Sequence, residues 1–280
     1  MNSYVREPAV SGIFYPKDPN ELDSNLQSLF KDPNFGPGKL PPSNSNERIY
    51  GMVCPHAGYM YSGAVAANGY YEVSSSKFES AIIIGPNHYG LGSDIALMNN
   101  GSWKTPLGEI SIDTELSYEI YQNCNIVNVD ELAHSRDHCI EVQLPFLQYI
   151  REEFKIVPII LVNQDKNTCL KLSNGIYEVI KDKNFLLIAS SDLTHYESNS
   201  QAHEKDNLLI SSILSLDIEA FYSVLFSFNV TACGYGAIAT VMEISKKLGA
   251  KKGKLLKYAT SGDIAGDTKS VVGYSSILFV

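Results

Sequence analysis

Residues 82–90, IIIGPNHYG, pass from three consecutive isoleucines directly into glycine, proline, asparagine and a histidine. An unbroken β-branched run is typical of a strand that is buried on both faces of a sheet. Pro86 fixes the backbone angle φ and removes a hydrogen-bond donor, so it should end the strand. The stretch therefore predicts a buried strand that stops at a stiff loop carrying His88.

Similar apolar runs recur along the chain, with helix-like stretches between them. They cover 49–54, 81–84, 156–162 and 185–190. Near-continuous apolar runs that alternate with helical patterns are typical of α/β proteins. A further run at 271–279 predicts a terminal strand, which we expect to be antiparallel and at an edge of the sheet. We therefore predict an α/β fold with a mainly parallel central sheet flanked by helices.

Helical patterns occupy the intervals between these runs. The predicted helices are 20–30, 62–73, 113–123, 140–152, 166–181, 203–215, 217–227 and 235–248. Asp113 is placed to cap one of them, and the Lys246-Lys247 pair followed by Gly249 is typical of a helix C-terminus. The Pro/Gly/Asn/Ser-rich segment 32–47 predicts a surface loop. Because only about 30 residues precede it, too few for a core of their own, we predict a single domain over 1–280.

The composition is that of an ordinary globular protein, with 44% hydrophobic and 19% charged residues in 280. A net charge of −9, from 22 basic and 31 acidic residues, argues against binding to nucleic acid or to anionic lipid. No apolar run approaches the roughly 20 residues of a membrane helix, and the N-terminus lacks a secretory pattern. The five scattered cysteines favour reduced thiols over a disulfide framework. We therefore expect a cytoplasmic protein without a membrane segment.

Three of the predicted strands end close to a histidine. His56 follows the first run, His88 the second, and Asp192 and His195 follow the run at 185–190. The carboxyl ends of parallel strands lie along one edge of a sheet, where ligands bind, so the three loops should converge. Two neutral imidazoles and one anionic ligand make an open site for Zn²⁺, Fe²⁺ or a similar ion. Each histidine taken alone could equally be a structural, hydrogen-bonded residue.

The anionic ligand has three candidates, Asp192, Glu141 and Cys233. Cys233 stands in TACGYG, immediately before a predicted helix. A helix N-terminus stabilises a thiolate, the form that binds metals and attacks electrophiles. The same glycine-rich turn could equally pack closely around an inert thiol.

The stretch HSRDHCIEVQ, 134–143, carries a second group of polar side chains. His138 and Glu141 are three residues apart, which places both on one face if the segment is helical. They could belong to a proton relay or a metal cluster, or simply to the capped start of a helix. The chain has no phosphate-binding loop, dinucleotide fingerprint, serine elbow, HExxH or Cys-x-x-Cys motif, so we expect no nucleotide cofactor.

Six collinear motifs together resemble the Memo family, whose members also occur in bacteria and archaea. They span nearly the whole chain and are VREPAVSGIFYP (5–16), CPHAGYMYSG (54–63), IIIGPNHYG (82–90), DHCIEVQLPFLQ (137–148), SSDLTHY (190–196) and ACGYGAI (232–238). The resemblance implies a single Memo-like domain, similar to the catalytic subunit of LigB-type class III extradiol dioxygenases, which are non-haem iron enzymes.

The resemblance also implies the residues of a pocket. His56, His88 and Cys233 stand at metal-ligand positions, with Asp192 and His195 beside them. The dioxygenases have two histidines and a glutamate at the metal, so Cys233 replaces the expected carboxylate. A soft thiolate shifts metal preference toward copper or zinc and is itself oxidisable, which argues against ordinary ring cleavage. We expect Fe²⁺ or Cu⁺, with Zn²⁺ less favoured.

Three functional hypotheses follow. The first is a metal-binding redox protein or dioxygenase-like oxidoreductase, in which His195 is a general acid/base oriented by Asp192. The second is a non-catalytic module that captures a peptide or a small acid in the same pocket. The third is a metal-independent enzyme with Cys233 as nucleophile and His195 as base. An exposed edge strand at 271–279 would also allow a homodimer.

Overall fold

A mixed β-sheet forms the centre of the fold. Within residues 4–44 and 47–280, the part of the chain that the computed structural model describes, nine strands belong to this sheet and three to a smaller one. In chain order the strands are β1 (Val5–Arg6), β2 (Gly51–Cys54), β3 (Ser80–Pro86), β4 (Ile95–Leu97), β5 (Ser102–Thr105), β6 (Gly108–Ser111), β7 (Asn128–Val129), β8 (Lys155–Leu161), β9 (Phe185–Ser190), β10 (His195–Glu197), β11 (Gly253–Thr260) and β12 (Val271–Phe279).

The strand order of the large sheet is β10-β12-β2-β9-β3-β8-β4-β7, and β11 also pairs with β12. Its four middle strands, β2, β9, β3 and β8, are parallel to one another. The strands toward both edges include antiparallel pairs. The strands predicted from the apolar runs at 49–54, 81–84, 156–162 and 185–190 are therefore confirmed, and so is the α/β fold. β1, β5 and β6 form the small sheet.

Helices cover both faces of the large sheet. They are α1 (Pro19–Lys31), α2 (Ala64–Val73), α3 (Thr114–Asn123), α4 (Glu131–His134), α5 (Leu144–Ile150), α6 (Lys166–Ile180), α7 (Asn199–Leu214), α8 (Ile218–Ser227), α9 (Tyr235–Leu248) and α10 (Ser261–Ala265). A π-helical turn, Tyr59–Gly63, leads into α2, and a 3-10 turn, Glu141–Gln143, leads into α5. Asp113 caps α3 and Gly249 ends α9 in a left-handed conformation, as predicted.

The two faces of the middle strands pack against different sets of helices. In β3, Ile82 and Ile84 join one hydrophobic cluster while Ile83 joins the other, and all three are fully buried. Val53 of β2 likewise belongs to the first cluster and Met52 to the second. Since successive side chains of a strand point to opposite faces, an unbroken apolar run is what a strand between two helical layers requires.

The terminal strand differs from its prediction in one respect. β12 is antiparallel, as expected, but the prediction that it lies at an edge is wrong. Over 277–279 it pairs with β2 on one side and with β11 on the other, and its first residues pair with β10, so both of its edges are occupied. Pairing of two copies through β12 is therefore blocked, and this argument for a homodimer is lost.

The predicted loop at 32–47 contains no helix or strand over the residues that the structure describes. Residues 45–46 of that loop, and residues 1–3 of the predicted domain, lie outside the described part of the chain. Among the described helices, none combines the length and the apolar character needed to cross a bilayer.

Candidate metal centre

Three imidazoles meet at the carboxyl edge of the parallel strands. His56 follows β2 and His88 follows β3, and these strands flank β9 on either side. With His138 they form the histidine cluster, whose ring centroids lie 5.1 Å apart for His56–His88, 5.3 Å for His56–His138 and 4.5 Å for His88–His138. Each ring offers a nitrogen within 4.8 Å of the nitrogens of the other two. The predicted convergence of loops is thus present, with His138 as an additional member.

His138 reaches the cluster because the chain turns sharply after α4. The helix predicted over 140–152 begins only at Leu144, after the 3-10 turn Glu141–Gln143, so His138 and Glu141 do not share a helical face. The His138 ring instead packs against Phe14, with ring centroids 4.8 Å apart. Its side chain retains 16% exposure, against 26% for His88, so the cluster opens to solvent on one side.

Cys233 lies directly beside the cluster. Its Sγ is 3.1 Å from Nε2 of His56. Gln164 holds the turn in place, because its side chain donates to the Cys233 carbonyl at 2.9 Å and accepts from the Gly236 N–H at 2.7 Å. A Cβ on Gly234 would lie 2.5 Å from the Ser190 carbonyl oxygen, so only glycine allows this close approach to β9.

Asp137 holds His88 in position. Its carboxylate accepts the backbone N–H of His88 at 2.7 Å, Nδ1 of the same ring at 3.0 Å and the Cys139 N–H at 3.0 Å. Burial alone would raise the pKa of Asp137, but these hydrogen bonds hold it well below its usual range. Because a carboxylate only accepts, Nδ1 of His88 carries the hydrogen and its Nε2 carries a lone pair.

Asp192 and His195 lie next to the cluster but make hydrogen bonds to different groups. The buried carboxylate of Asp192 accepts the His56 N–H at 2.7 Å, and burial raises its pKa. Nδ1 of His195 lies 2.7 Å from the Leu193 carbonyl and 3.0 Å from the Thr231 carbonyl. Carbonyls only accept, so these two oxygens, rather than Asp192, orient His195 and leave its Nε2 as a base. A positive charge on His195 would lower the pKa of His56, so the two rings are close enough to interact electrostatically.

Two members of the cluster, His56 and His138, resist protonation. Burial, and then the neighbouring imidazole of His88, hold the pKa of His56 well below its usual value. Burial, and then the neighbouring imidazoles of His56 and His88, lower the pKa of His138 to about 3. Both rings are therefore neutral at physiological pH, the state in which imidazole binds a metal.

Glu141, a predicted companion of His138, faces away from the histidine cluster. It pairs with the buried Arg6, and it also accepts from the backbone N–H groups of Ala9 and Val10 and from the Tyr15 hydroxyl, at 2.8, 3.0 and 2.6 Å. Glu141 thus fixes the N-terminal segment, which in turn carries Phe14 onto His138. Its link to the site is indirect.

The thiol of Cys233 differs from the thiolate that its helix N-terminus led us to expect. Burial, and then the negative charge of Asp192, raise its pKa well above that of a free cysteine. In the absence of a cation at the site, Cys233 is therefore protonated. This counts against the hypothesis of a metal-independent cysteine nucleophile.

We accordingly expect Cys233 in the metal-free protein to react with iodoacetamide at neutral pH at least about tenfold more slowly than a small thiol such as free cysteine. Peptide mapping by mass spectrometry after timed alkylation measures this rate. The urea-unfolded protein is the control, since unfolding exposes the same thiol. Rapid, stoichiometric labelling of folded protein at Cys233 would contradict the expectation.

Some residues of the site carried no recognisable signal in the sequence. Ser190 at the end of β9 lies 2.9 Å from Nδ1 of His56, and Phe14 comes from a segment more than a hundred residues away from His138. A serine after a strand and a phenylalanine in a loop are too common to single out.

A cavity of about 920 Å³ at the amino ends of β3 and β8, lined by Glu79, Arg151 and Lys155 among others, shares no residue with the histidine cluster.

Comparison with known proteins agrees with this architecture. The sequence model of the Memo-like protein family matches residues 6–278. A MEMO1 family protein of Nitrosopumilus maritimus is 50% identical over 277 residues, covering 99% of this chain and 100% of its own length. MEMO1 family proteins of Sulfolobus acidocaldarius and Methanocaldococcus jannaschii are 46% and 43% identical, each covering 98% of this chain and 99% and 98% of their own length. The chain therefore belongs to the Memo-like protein family.

Proposed function

We propose that this protein binds one redox-active transition-metal ion, iron or copper, at the histidine cluster and Cys233, and that it acts as a dioxygenase-like oxidoreductase on a small molecule. The observation that carries the proposal is the convergence of three ring nitrogens within 4.8 Å at the carboxyl edge of the sheet. Three imidazole nitrogens this close together are the kind of ligand set that a transition-metal site requires.

The donors fit a transition metal in three further ways. The imidazoles of His56 and His138 are held neutral. His88 donates Nδ1–H to a carboxylate, the arrangement that orients metal-binding histidines and raises their basicity. Cys233 adds a soft sulfur 3.1 Å from one of the imidazoles, and a cation would convert this thiol to the thiolate. A mixed nitrogen and sulfur set suits copper and iron, and also zinc.

A bound ion of this kind would supply electron transfer and the activation of a coordinated substrate or of O₂. The protein contributes a base beside it, since Nε2 of His195 is free to take a proton from a substrate and return it. Asp192 fixes the His56 loop through its backbone N–H, at 2.7 Å. Phe14 covers one side of His138 and excludes water there.

Purified protein is expected to take up about one metal ion per chain, and the double variant His56→Ala/His88→Ala to take up at least about a hundredfold less. Elemental analysis of protein purified without added metal, followed by anaerobic titration with Fe²⁺ and Cu⁺, measures the stoichiometry. His203→Ala is the matched control, because His203 pairs with Asp263 at 2.9 Å on a different surface. Single variants His138→Ala and Cys233→Ala then separate the contributions of the third imidazole and the thiol.

Absence of metal from the parent protein in both measurements, or equal uptake by the double variant, would contradict the proposal. Uptake without any oxidation of small molecules would leave metal binding in place and remove the oxidoreductase part. Neither of these outcomes would support the cysteine-nucleophile hypothesis, because the Cys233 thiol is protonated without a cation.

A binding role is the second candidate, and one observation favours it. Large apolar side chains on the site loops are exposed, namely Ile13 by 77%, Met60 by 73%, Tyr89 by 54% and Tyr196 by 80%. Exposed side chains of this kind on loops around the histidine cluster suit contact with a peptide or an apolar small molecule. In this case His88→Ala should weaken capture of the ligand equally with and without a chelator, which distinguishes it from the metal-dependent function.

The compartment is proposed on the state of the thiols. All five cysteines are free, and four of them are buried. Unpaired cysteines suit a reducing environment. We therefore place the protein in the cytoplasm.

A further inference from the structure

A buried chain of hydrogen bonds lies behind His56, on the side away from Cys233. Nδ1 of His56 is 2.9 Å from Oγ of Ser190. The same Oγ is 2.6 Å from the Cys139 carbonyl and 2.8 Å from Nε2 of Gln143. All of these groups are buried, since His56 and Gln143 are 1% exposed and Ser190 and Cys139 are fully enclosed.

The side-chain amide of Gln143 can adopt only one orientation. Its Nε2 lies 3.0 Å from the Pro55 carbonyl, which only accepts, so the amide nitrogen must be on that side. Its Oε1 then faces the Tyr70 hydroxyl at 2.5 Å, which donates to it. The group that Gln143 turns toward Ser190 is therefore an N–H donor.

The position of the hydrogen on His56 follows by counting. A serine hydroxyl has one hydrogen to donate and two lone pairs. The hydrogen goes to the Cys139 carbonyl, which cannot donate, and one lone pair accepts from Gln143. Only an acceptor remains toward His56, so Nδ1 must carry the ring hydrogen and Nε2 must present its lone pair toward Cys233.

We propose that Ser190, locked by Gln143, Cys139 and Tyr70, is a positioning residue that holds His56 in the Nδ1–H tautomer before any ligand binds. Free histidine prefers the other tautomer, with the hydrogen on Nε2, so the network imposes the form that a metal or an electrophile requires at Nε2. The proposed tautomer of His56 does not depend on the metal-binding function proposed above. The expected effect of Ser190 on metal affinity, in contrast, rests on that function.

The tautomer is measured directly by two-dimensional ¹H–¹⁵N long-range NMR on metal-free protein labelled with ¹⁵N-histidine, with His56 assigned from a His56→Gln variant. Parent protein is expected to show a single Nδ1–H form of His56. Ser190→Ala is expected to shift His56 toward the Nε2–H form, because Nδ1 loses its acceptor. Ser190→Thr retains a hydroxyl and should restore Nδ1–H. Ser173→Ala, which removes another fully buried serine far from the site, should change nothing.

An Nε2–H form in the parent protein, or an unchanged Nδ1–H form in folded Ser190→Ala, would overturn the inference. If Ser190→Ala does not fold, the tautomer of His56 measured in the parent protein decides whether the inference holds. In a second measurement, competition titration with Zn²⁺, Ser190→Ala is expected to bind about 10–100-fold more weakly than the parent, and Ser190→Thr close to it. A parent protein with Nδ1–H that binds no Zn²⁺ would support the tautomer and contradict the metal function. Equal Zn²⁺ affinity in folded Ser190→Ala would overturn the role of Ser190 in binding.

Discussion

Replacing Glu141 with alanine is expected to destabilise the protein by about 3–5 kcal/mol, the usual cost of breaking a buried ion pair by removing one partner. Arg6 is 1% exposed and would keep its charge without the carboxylate that neutralises it. The backbone N–H groups of Ala9 and Val10 and the Tyr15 hydroxyl would lose their acceptor at the same time. Each unsatisfied buried group adds to the loss.

Urea unfolding followed by circular dichroism at neutral pH measures this change. Glu219→Ala is the matched control, because the Glu219 side chain is 73% exposed and pairs with Lys166 at the surface. Such a pair contributes about 0–1 kcal/mol. If Glu141→Ala lost no more stability than Glu219→Ala, the buried network around Arg6 would not hold the N-terminal segment.

The same substitution should reach the histidine cluster through Phe14. Glu141 fixes Val10 and Tyr15 on either side of this residue, and Phe14 packs on His138 with ring centroids 4.8 Å apart. Release of the segment would expose His138 to water. A fully buried residue with no contact to the candidate ligands can therefore govern access to them.

The strands between two helical layers were predictable because burial on both faces leaves an unbroken apolar run, as in β3 and β8. The position of β12 was not. Whether a strand lies at an edge depends on its neighbours, and here one neighbour is the three-residue β10, which begins at His195 and has no apolar run of its own. Edge or interior position is a property of pairing, which single-sequence patterns do not contain.

For the site, the sequence located His56 and His88, because a proline that stops a buried strand leaves a recognisable mark. The protonation state of the Cys233 thiol could not be predicted, because the effect of a helix N-terminus competes with burial and with the charge of Asp192. Both of these depend on the folded structure. The i, i+3 spacing of His138 and Glu141 left open whether they share a helical face or stand at a helix start, because that spacing also fits a tight turn. The hydrogen bond from His56 to Ser190 joins residues 134 positions apart, so no local pattern encodes it.

Lowering the pH from about 7.5 to about 5 is expected to destabilise the metal-free protein by several kcal/mol. Burial lowers the pKa of His134 to about 4 and of His138 to about 3, and holds that of His56 well below its usual value. In the unfolded chain each of these histidines titrates near about 6.5. Below that pH the unfolded state binds protons that the folded state refuses, so the stability present above pH ~6.5 is lost as the pH falls.

Each such histidine contributes about 2 kcal/mol over this interval, as an order of magnitude. The raised pKa values of Asp192, Asp206 and Glu243 act in the opposite direction, because the folded state then binds protons more readily than the unfolded chain. They reduce the total, which is therefore smaller than the sum of the three imidazole contributions.

His134→Leu tests the origin of this pH dependence away from the candidate ligands. His134 is fully buried beside Trp103, with ring centroids 5.9 Å apart. Leucine removes one proton-binding group while keeping an apolar side chain of similar size, and the bond from Arg6 to the backbone carbonyl at 134 remains. Urea unfolding at both pH values should show a loss about 2 kcal/mol smaller in the variant than in the parent. An identical loss in the two proteins would mean that buried histidines do not limit stability in acid.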